Sequence, residues 1–218
     1  MSRLFIPPSV SFPPALSLAL APRAQDDVVA VCIANAMVDN GEAELLAVVQ
    51  NTQPPQLAGV ISVLNHYYGR DAVPIGAYRG ADLTPNPGTL ADPNPLPYVE
   101  TVLTNFPSPI RNTSQCGDAV DLYRKTLAAQ PDRSVAISSI GLSTNLAALL
   151  RSKPDAHSPL DGESLVAQKV ALVAAMAGNY PASPSPQHCE CNMCAIYNQG
   201  HDHVAASVRH FPAQFPPF

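Results

Sequence analysis

Apolar residues recur along this chain in two rhythms, one helical and one extended. From Asp26 to Asp39, Val28, Val29, Val31, Cys32, Ile33, Ala36 and Met37 cover nearly the whole circumference of a helix. That pattern predicts burial on all sides, with Cys32 as a small core residue. Asp26 and Asp27 stand at its start, where carboxylates cap free N–H groups and favour the helix dipole. Gly41 ends it. Glu44–Gln50 (ELLAVVQ) reads as a strand buried on both faces. Leu57–Tyr68 predicts a second helix, and Val73–Tyr78 a short strand after the turn at Gly69. Asp118–Ala129 is an amphipathic helix with Val120, Leu122, Tyr123 and Leu127 on one face. Ser134–Ile140 is a clear strand, and Thr144–Ser152 a helix capped by Thr144 or Ser143. Leu165–Val170 reads as a helix running into a strand at Ala171–Met176, and Leu16–Leu20 as a buried first strand.

Strands alternating with helices imply an α/β protein with a doubly wound, parallel sheet. Ligands of such sheets bind outside the carboxyl ends of the strands. The positions to examine are therefore Asn51, Ile140 and Gly141, Met176 to Gly178, and Asp26-Asp27.

Proline changes the picture of the connections. The chain has 24 prolines in 218 residues, about twice the average share of ~5%. They gather in the first 22 residues, between Pro85 and Pro109, ahead of the cysteine cluster and at the end. Helix interiors and central strands exclude them, so Thr84–Pro97 is expected to be a surface loop. The expected organisation is a Pro-rich segment over 1–15, a domain over 16–198 and a Pro-containing tail over 199–218. His66-Tyr67-Tyr68 closes the second helix and is expected to pack in the core.

Charge is sparse: 13% of residues, with a net charge of −5. No basic stripe is present, which argues against nucleic acid as a partner. No apolar run reaches the ~18–20 residues of a membrane span. Arg3 followed by Ala15–Ala21 imitates a signal peptide, but the surrounding prolines interrupt it; a cytoplasmic location is favoured over secretion. The five cysteines are an odd number, unlike a disulfide framework. Cys189, Cys191 and Cys194, followed by His201 and His203, offer zinc-type ligands at non-standard spacing; the bland alternative is cysteines packed around Glu190 and Asn192.

Five stretches carry a further signal through their order: DDVVAVCIANAMVDNGEAELLAVVQNT, HYYGRDAVPIGAYRG, VAISSIGLSTNLAALLRS, LVAQKVALVAAMAG and ECN. Together they resemble the inosine–uridine preferring nucleoside hydrolase family, from about Leu16 to Asn198. The resemblance implies a Rossmann-like, mostly parallel sheet, here incomplete at its C-terminal end. It implies hydrolysis of the N-glycosidic bond of ribonucleosides to ribose and free base, with Ca²⁺ at the pocket floor. It also implies a ribonucleoside substrate and self-association into dimers or tetramers.

Carried over position by position, the resemblance makes Asp26, Asn51, Met176, Glu190 and Asn192 ribose-binding residues. It makes Asp27 and the Ile140 carbonyl Ca²⁺ ligands. Pro22 stands where the family has the aspartate that serves as general base and metal ligand, so no catalytic residue is carried over. The last metal-binding aspartate of the family comes from a segment beyond Phe218. Two functions follow: a nucleoside hydrolase-like protein, or a non-catalytic nucleoside-binding or interaction protein derived from that family.

Overall fold

The computed structural model describes residues 15–20, 25–51, 55–79, 97–141, 144–175, 177–178 and 190–191. Its main sheet contains β1 (Ala15–Leu20), β2 (Glu44–Gln50), β3 (Ile75–Ala77), β4 (Gly117–Asp118), β5 (Val135–Ser139) and β6 (Val170–Ala175). The order across the sheet is β4-β3-β2-β1-β5-β6. Every pairing in it is parallel. The chain winds outward from β1 to β4 and then returns to β5 on the other side of β1. That reversal makes this a doubly wound, Rossmann-like α/β sheet, with its switch point between β1 and β5. A small antiparallel pair joins β7 (Ala177–Gly178) to β8 (Glu190–Cys191).

The helices are α1 (Gln25–Asp39), α2 (Leu57–Tyr67), α3 (Pro97–Asn105), α4 (Ala119–Ala129), α5 (Thr144–Arg151) and α6 (Gly162–Lys169). A parallel sheet needs cover on both faces, and two apolar clusters supply it. One joins Val31 and Ala34 of α1 and Ala58 and Ile61 of α2 to Leu45, Val48 and Ile75. The other joins Tyr123 and Leu127 of α4, Leu146 and Leu149 of α5, and Leu165 and Val166 of α6 to Val49, Val135, Ile137, Val170 and Val173. Val48 and Val49 enter different clusters, the period-2 alternation of a strand buried on both sides.

Local chemistry sets several helix ends. The Asp118 carboxylate accepts from Val120 N at 2.8 Å and Asp121 N at 2.9 Å, starting α4. Asp161 accepts from Ser164 N at 2.9 Å and starts α6. A Cβ at Gly162 would lie 1.7 Å from the Leu149 carbonyl oxygen, so glycine is what lets α6 begin against the end of α5. Beside that junction Arg124, only 2% exposed, reaches from α4 into the segment after α5. Its guanidinium donates to both Asp155 carboxylate oxygens at 2.5 and 3.1 Å and to Ser152 Oγ at 2.8 Å. It also donates to the carbonyls of Ser158 at 3.2 Å and Leu160 at 2.8 Å.

Several expectations are corrected. α1 is not buried all round: Val29 is 53% and Ile33 56% exposed, and among the described residues α1 packs mainly on β1, β2 and α2. Cys32 is half-buried. Tyr67 is 78% exposed and meets Tyr68 edge to face rather than entering the core. His66 instead pairs with Asp71 at 2.9 Å on the surface. The strand expected at 73–78 shortens to Ile75–Ala77, and one residue of the expected helix 118–129, Asp118, precedes the helix as its cap. α3 forms within the proline-rich region, with Pro97 at its first position, where a missing N–H costs nothing.

Candidate functional site

The strand register lines up the carboxyl ends. Gln50 pairs with Leu20 and with Ala77, Ala19 with Ser139, and Ser139 with Ala175. Asn51 and Ile140 therefore leave the sheet within one residue of the same level, on either side of β1. With strands about 4.8 Å apart, the row from β2 to β6 spans about 14 Å, the width of a small-molecule cleft.

α1 begins shortly after β1, which puts Asp27 in its first turn, over the switch point. Asp27 is 3% exposed and Asn51 fully buried. The free N–H groups and positive dipole end of α1 favour a carboxylate there. The Asp26 backbone shares that turn; its side chain lies outside the described residues. Ile140 follows β5, half-buried against the α1–α2 cluster.

The wall between these positions is tied by a residue the sequence did not single out. Asn145, in α5 and 2% exposed, donates its Nδ2 to the Gln50 carbonyl at 2.9 Å. The bond crosses the line of β1 and joins both sides of the switch point. Thr144, expected as a cap, instead opens α5 with a buried hydroxyl that makes no hydrogen bond among the described residues; Ser143 lies outside them.

Tyr98 is a second residue the sequence did not single out, one that feels the charge of Asp27. It sits in the first turn of α3, half-buried against Leu57, Val60 and Val99. Burial, and then the negative charge of Asp27, push its phenol pKa above the ordinary value. Asp27 thus acts electrostatically on Tyr98, and the phenol stays a hydrogen-bond donor. A tyrosine just after a helix-starting proline was the available signal, hidden by the run of prolines before it.

The distal part of the expected site is described only in outline. Gly178 pairs with Glu190, which brings the Glu190 backbone back beside the end of β6; its side chain lies outside the described residues. Met176, Asn192 and Pro22 lie outside the described residues, as do Cys189, Cys194, His201 and His203.

Asp27, Asn51 and the Ile140 carbonyl are hard oxygen donors of the kind Ca²⁺ takes, but Ca²⁺ takes six to eight. Among the described residues no group of three or more His, Cys, Asp or Glu could hold a metal ion. The described donors therefore suit Ca²⁺ in kind and fall short in number.

No family model and no curated protein matches the chain. Solved structures do. The type III effector protein XopQ, complexed with adenosine diphosphate ribose, superposes with a TM-score of 0.64 at 20% identity over 94% of this chain and 54% of that one. The effector protein XOO4466 gives 0.57 at 20% identity, over 80% and 46%. The purine-preferring ribonucleoside hydrolase from Gardnerella vaginalis gives 0.50 at 16% identity, over 76% and 49%. The chain spans about half the length of these structures, and at such identities the likeness is one of fold.

Proposed function

We propose that this chain is a nucleoside hydrolase-like protein whose cleft, at the carboxyl ends of β1, β2, β5 and β6, takes a ribonucleoside by its ribose. What supports the reading is that Asn51 and Ile140 follow the carboxyl ends of β2 and β5, and that buried Asp27 lies in the first turn of the helix after β1, in a fold like that of a ribonucleoside hydrolase. Asn51 supplies a buried amide for ribose hydroxyls, and Asp27 a buried carboxylate for a metal ion. Asp26, Met176, Glu190 and Asn192 complete the ribose contacts in this reading; the backbone pairing of Glu190 with Gly178, just after β6, is compatible with it.

The reaction is hydrolysis of the N-glycosidic bond. As the base departs, positive charge develops on the sugar, and the carboxylates of Asp26, Asp27 and Glu190 stabilise it. Water attack needs a proton acceptor, and Pro22 is not one. Losing a general base costs about 10²–10⁴ in rate. A bound Ca²⁺ would activate the water, and Asp27 with the Ile140 carbonyl are the residues that would hold it. Pro22 also motivates a second reading, nucleoside binding without turnover.

The test is ribose release from inosine and uridine by the purified chain, with Ca²⁺ and with chelator, beside calorimetric binding of both. Release abolished by chelator supports the calcium-dependent enzyme. Binding without release supports the second reading. Neither binding nor release overturns both. Under the hydrolase reading Pro22→Asp raises ribose release by about 10².

A further inference from the structure

We infer that Asn145 is a positioning residue for the cleft, holding the Gln50–Asn51 peptide so that the Asn51 side chain meets the ligand at one fixed angle. This rests on the ribonucleoside reading of the cleft.

The Gln50 carbonyl accepts two hydrogen bonds. One comes from Tyr78 N at 3.1 Å, the continuation of the β2–β3 ladder. The other comes from Asn145 Nδ2 at 2.9 Å, from the opposite side of β1. A carbonyl oxygen has two lone pairs, so both are committed. A peptide unit is planar, so fixing the carbonyl of Gln50 from two directions also fixes the N–H of Asn51, the other end of the same plane. Asn51 is where β2 stops, and there the ladder alone no longer holds the chain. Gln50, Asn51 and Asn145 are all 2% exposed or less, so no bulk water replaces a lost bond. The Asn145 amide, together with the Tyr78 N–H, therefore bears on the direction in which Asn51 leaves the sheet.

The side chain also couples two walls. Asn145 belongs to α5, which follows β5 and Ile140; Gln50 belongs to β2. Movement of the Ile140 wall is thereby transmitted to the Asn51 wall. A hydrogen bond between residues of one helix, such as Asn35 Nδ2 to the Val31 carbonyl at 2.9 Å, has no such effect on the cleft.

The experiment compares the wild-type chain with Asn145→Leu, close in volume but without a donor, and with Asn145→Ser, which keeps a shorter donor. Asn35→Ala is the control for a buried asparagine lost elsewhere. The ligand-free readouts are the carbonyl ¹³C shift of Gln50 and the amide ¹⁵N shift of Asn51. The ligand readout is the Kd for inosine, taken well below each melting temperature. Asn145→Leu is expected to move both shifts and to raise Kd about tenfold or more. Asn145→Ser should fall between it and wild type, and serves if the leucine variant does not fold. Asn35→Ala should lower the melting temperature and leave shifts and Kd in place. Unmoved Gln50 and Asn51 shifts in the Asn145 variants overturn the inference, as does an inosine Kd within twofold of wild type. If the wild-type chain binds no inosine, the ribonucleoside reading fails, and the two shifts alone decide whether Asn145 holds the Asn51 peptide.

Discussion

Arg124 and the cleft at the switch point both take polar groups out of water, to different ends. Each guanidinium nitrogen of Arg124 has a partner, all within residues 152–160. It is a closed knot that fastens α4 to the segment between α5 and α6. At the cleft, Asp27, Gln50, Asn51, Ser139 and Asn145 are each 3% exposed or less, and they come from four elements spread across both sides of β1. The bond from Asn145 to Gln50 spans 95 positions in sequence. Burial of polarity in the knot stabilises a local junction. Burial of polarity at the cleft gives shape and charge to a place where elements merely converge. The first should register in stability, the second in ligand affinity.

That separation can be broken by experiment, and the largest effect belongs to the knot. Arg124→Ala leaves buried carbonyls without a donor and should lower the melting temperature by about 10 °C. Its inosine Kd, measured on the folded protein, should not change. Lost binding at an unchanged melting temperature would mean that the two regions are not separate.

The converse comes next. Asp27→Asn and Asn51→Ala should weaken inosine binding about tenfold or more in calorimetry, with melting temperatures within a few degrees of wild type. A large loss of stability with affinity retained would assign these residues to the fold rather than to a ligand.

Acid sharpens the comparison on a smaller scale. The Arg124 guanidinium, aided by the backbone N–H groups of Ser158 and His157, holds the Asp155 carboxyl well below the usual carboxylate range against an opposing desolvation effect. A carboxyl depressed in the folded state contributes stability that is fully present above its unfolded value of about 3.9 and is lost as pH falls below that. Water screens part of this, since Asp155 is partly exposed. Thermal melts should therefore decline below about pH 4, and Asp155→Asn should flatten that decline. Asp132, held low by Lys169 and Gln168, contributes with the same sign from the surface.

The smallest effect is purely electrostatic. With the Asp27 charge removed in Asp27→Asn, the Tyr98 phenol pKa should fall toward its ordinary value, followed by tyrosine ring ¹³C shifts against pH. An unmoved titration would place Tyr98 outside the field of Asp27.

The sequence displayed the frame of the molecule more plainly than its details. Apolar runs such as ELLAVVQ are legible because a parallel strand is buried on both faces, and β2 proved so. The same logic misread α1: an apolar circumference does not require burial when the neighbours reach only one side, and Val29 and Ile33 face outward. α3 was hidden because proline marks both a loop and the first turn of a helix, and β4 because two residues carry no period. Asp27, Asn51 and Ile140 were singled out as residues that follow strand ends, and the structure places them after β1, β2 and β5. Asn145 and Tyr98 were not, because the hydrogen bond of the first depends on a partner 95 positions away and the electrostatics of the second on a charge from another element. Local sequence holds no trace of either.

The central place of β1 carries a consequence for synthesis. A chain leaving the ribosome can pair β1 with β2, and β2 with β3, early, but the other edge of β1 waits for Val135–Ser139. Until then the nascent protein is half a sheet with an unsatisfied border through its middle, and the cleft has one wall. Translation speed between residues 78 and 135, and whatever shields that border meanwhile, should govern how much of the product folds, independently of how stable the finished molecule is.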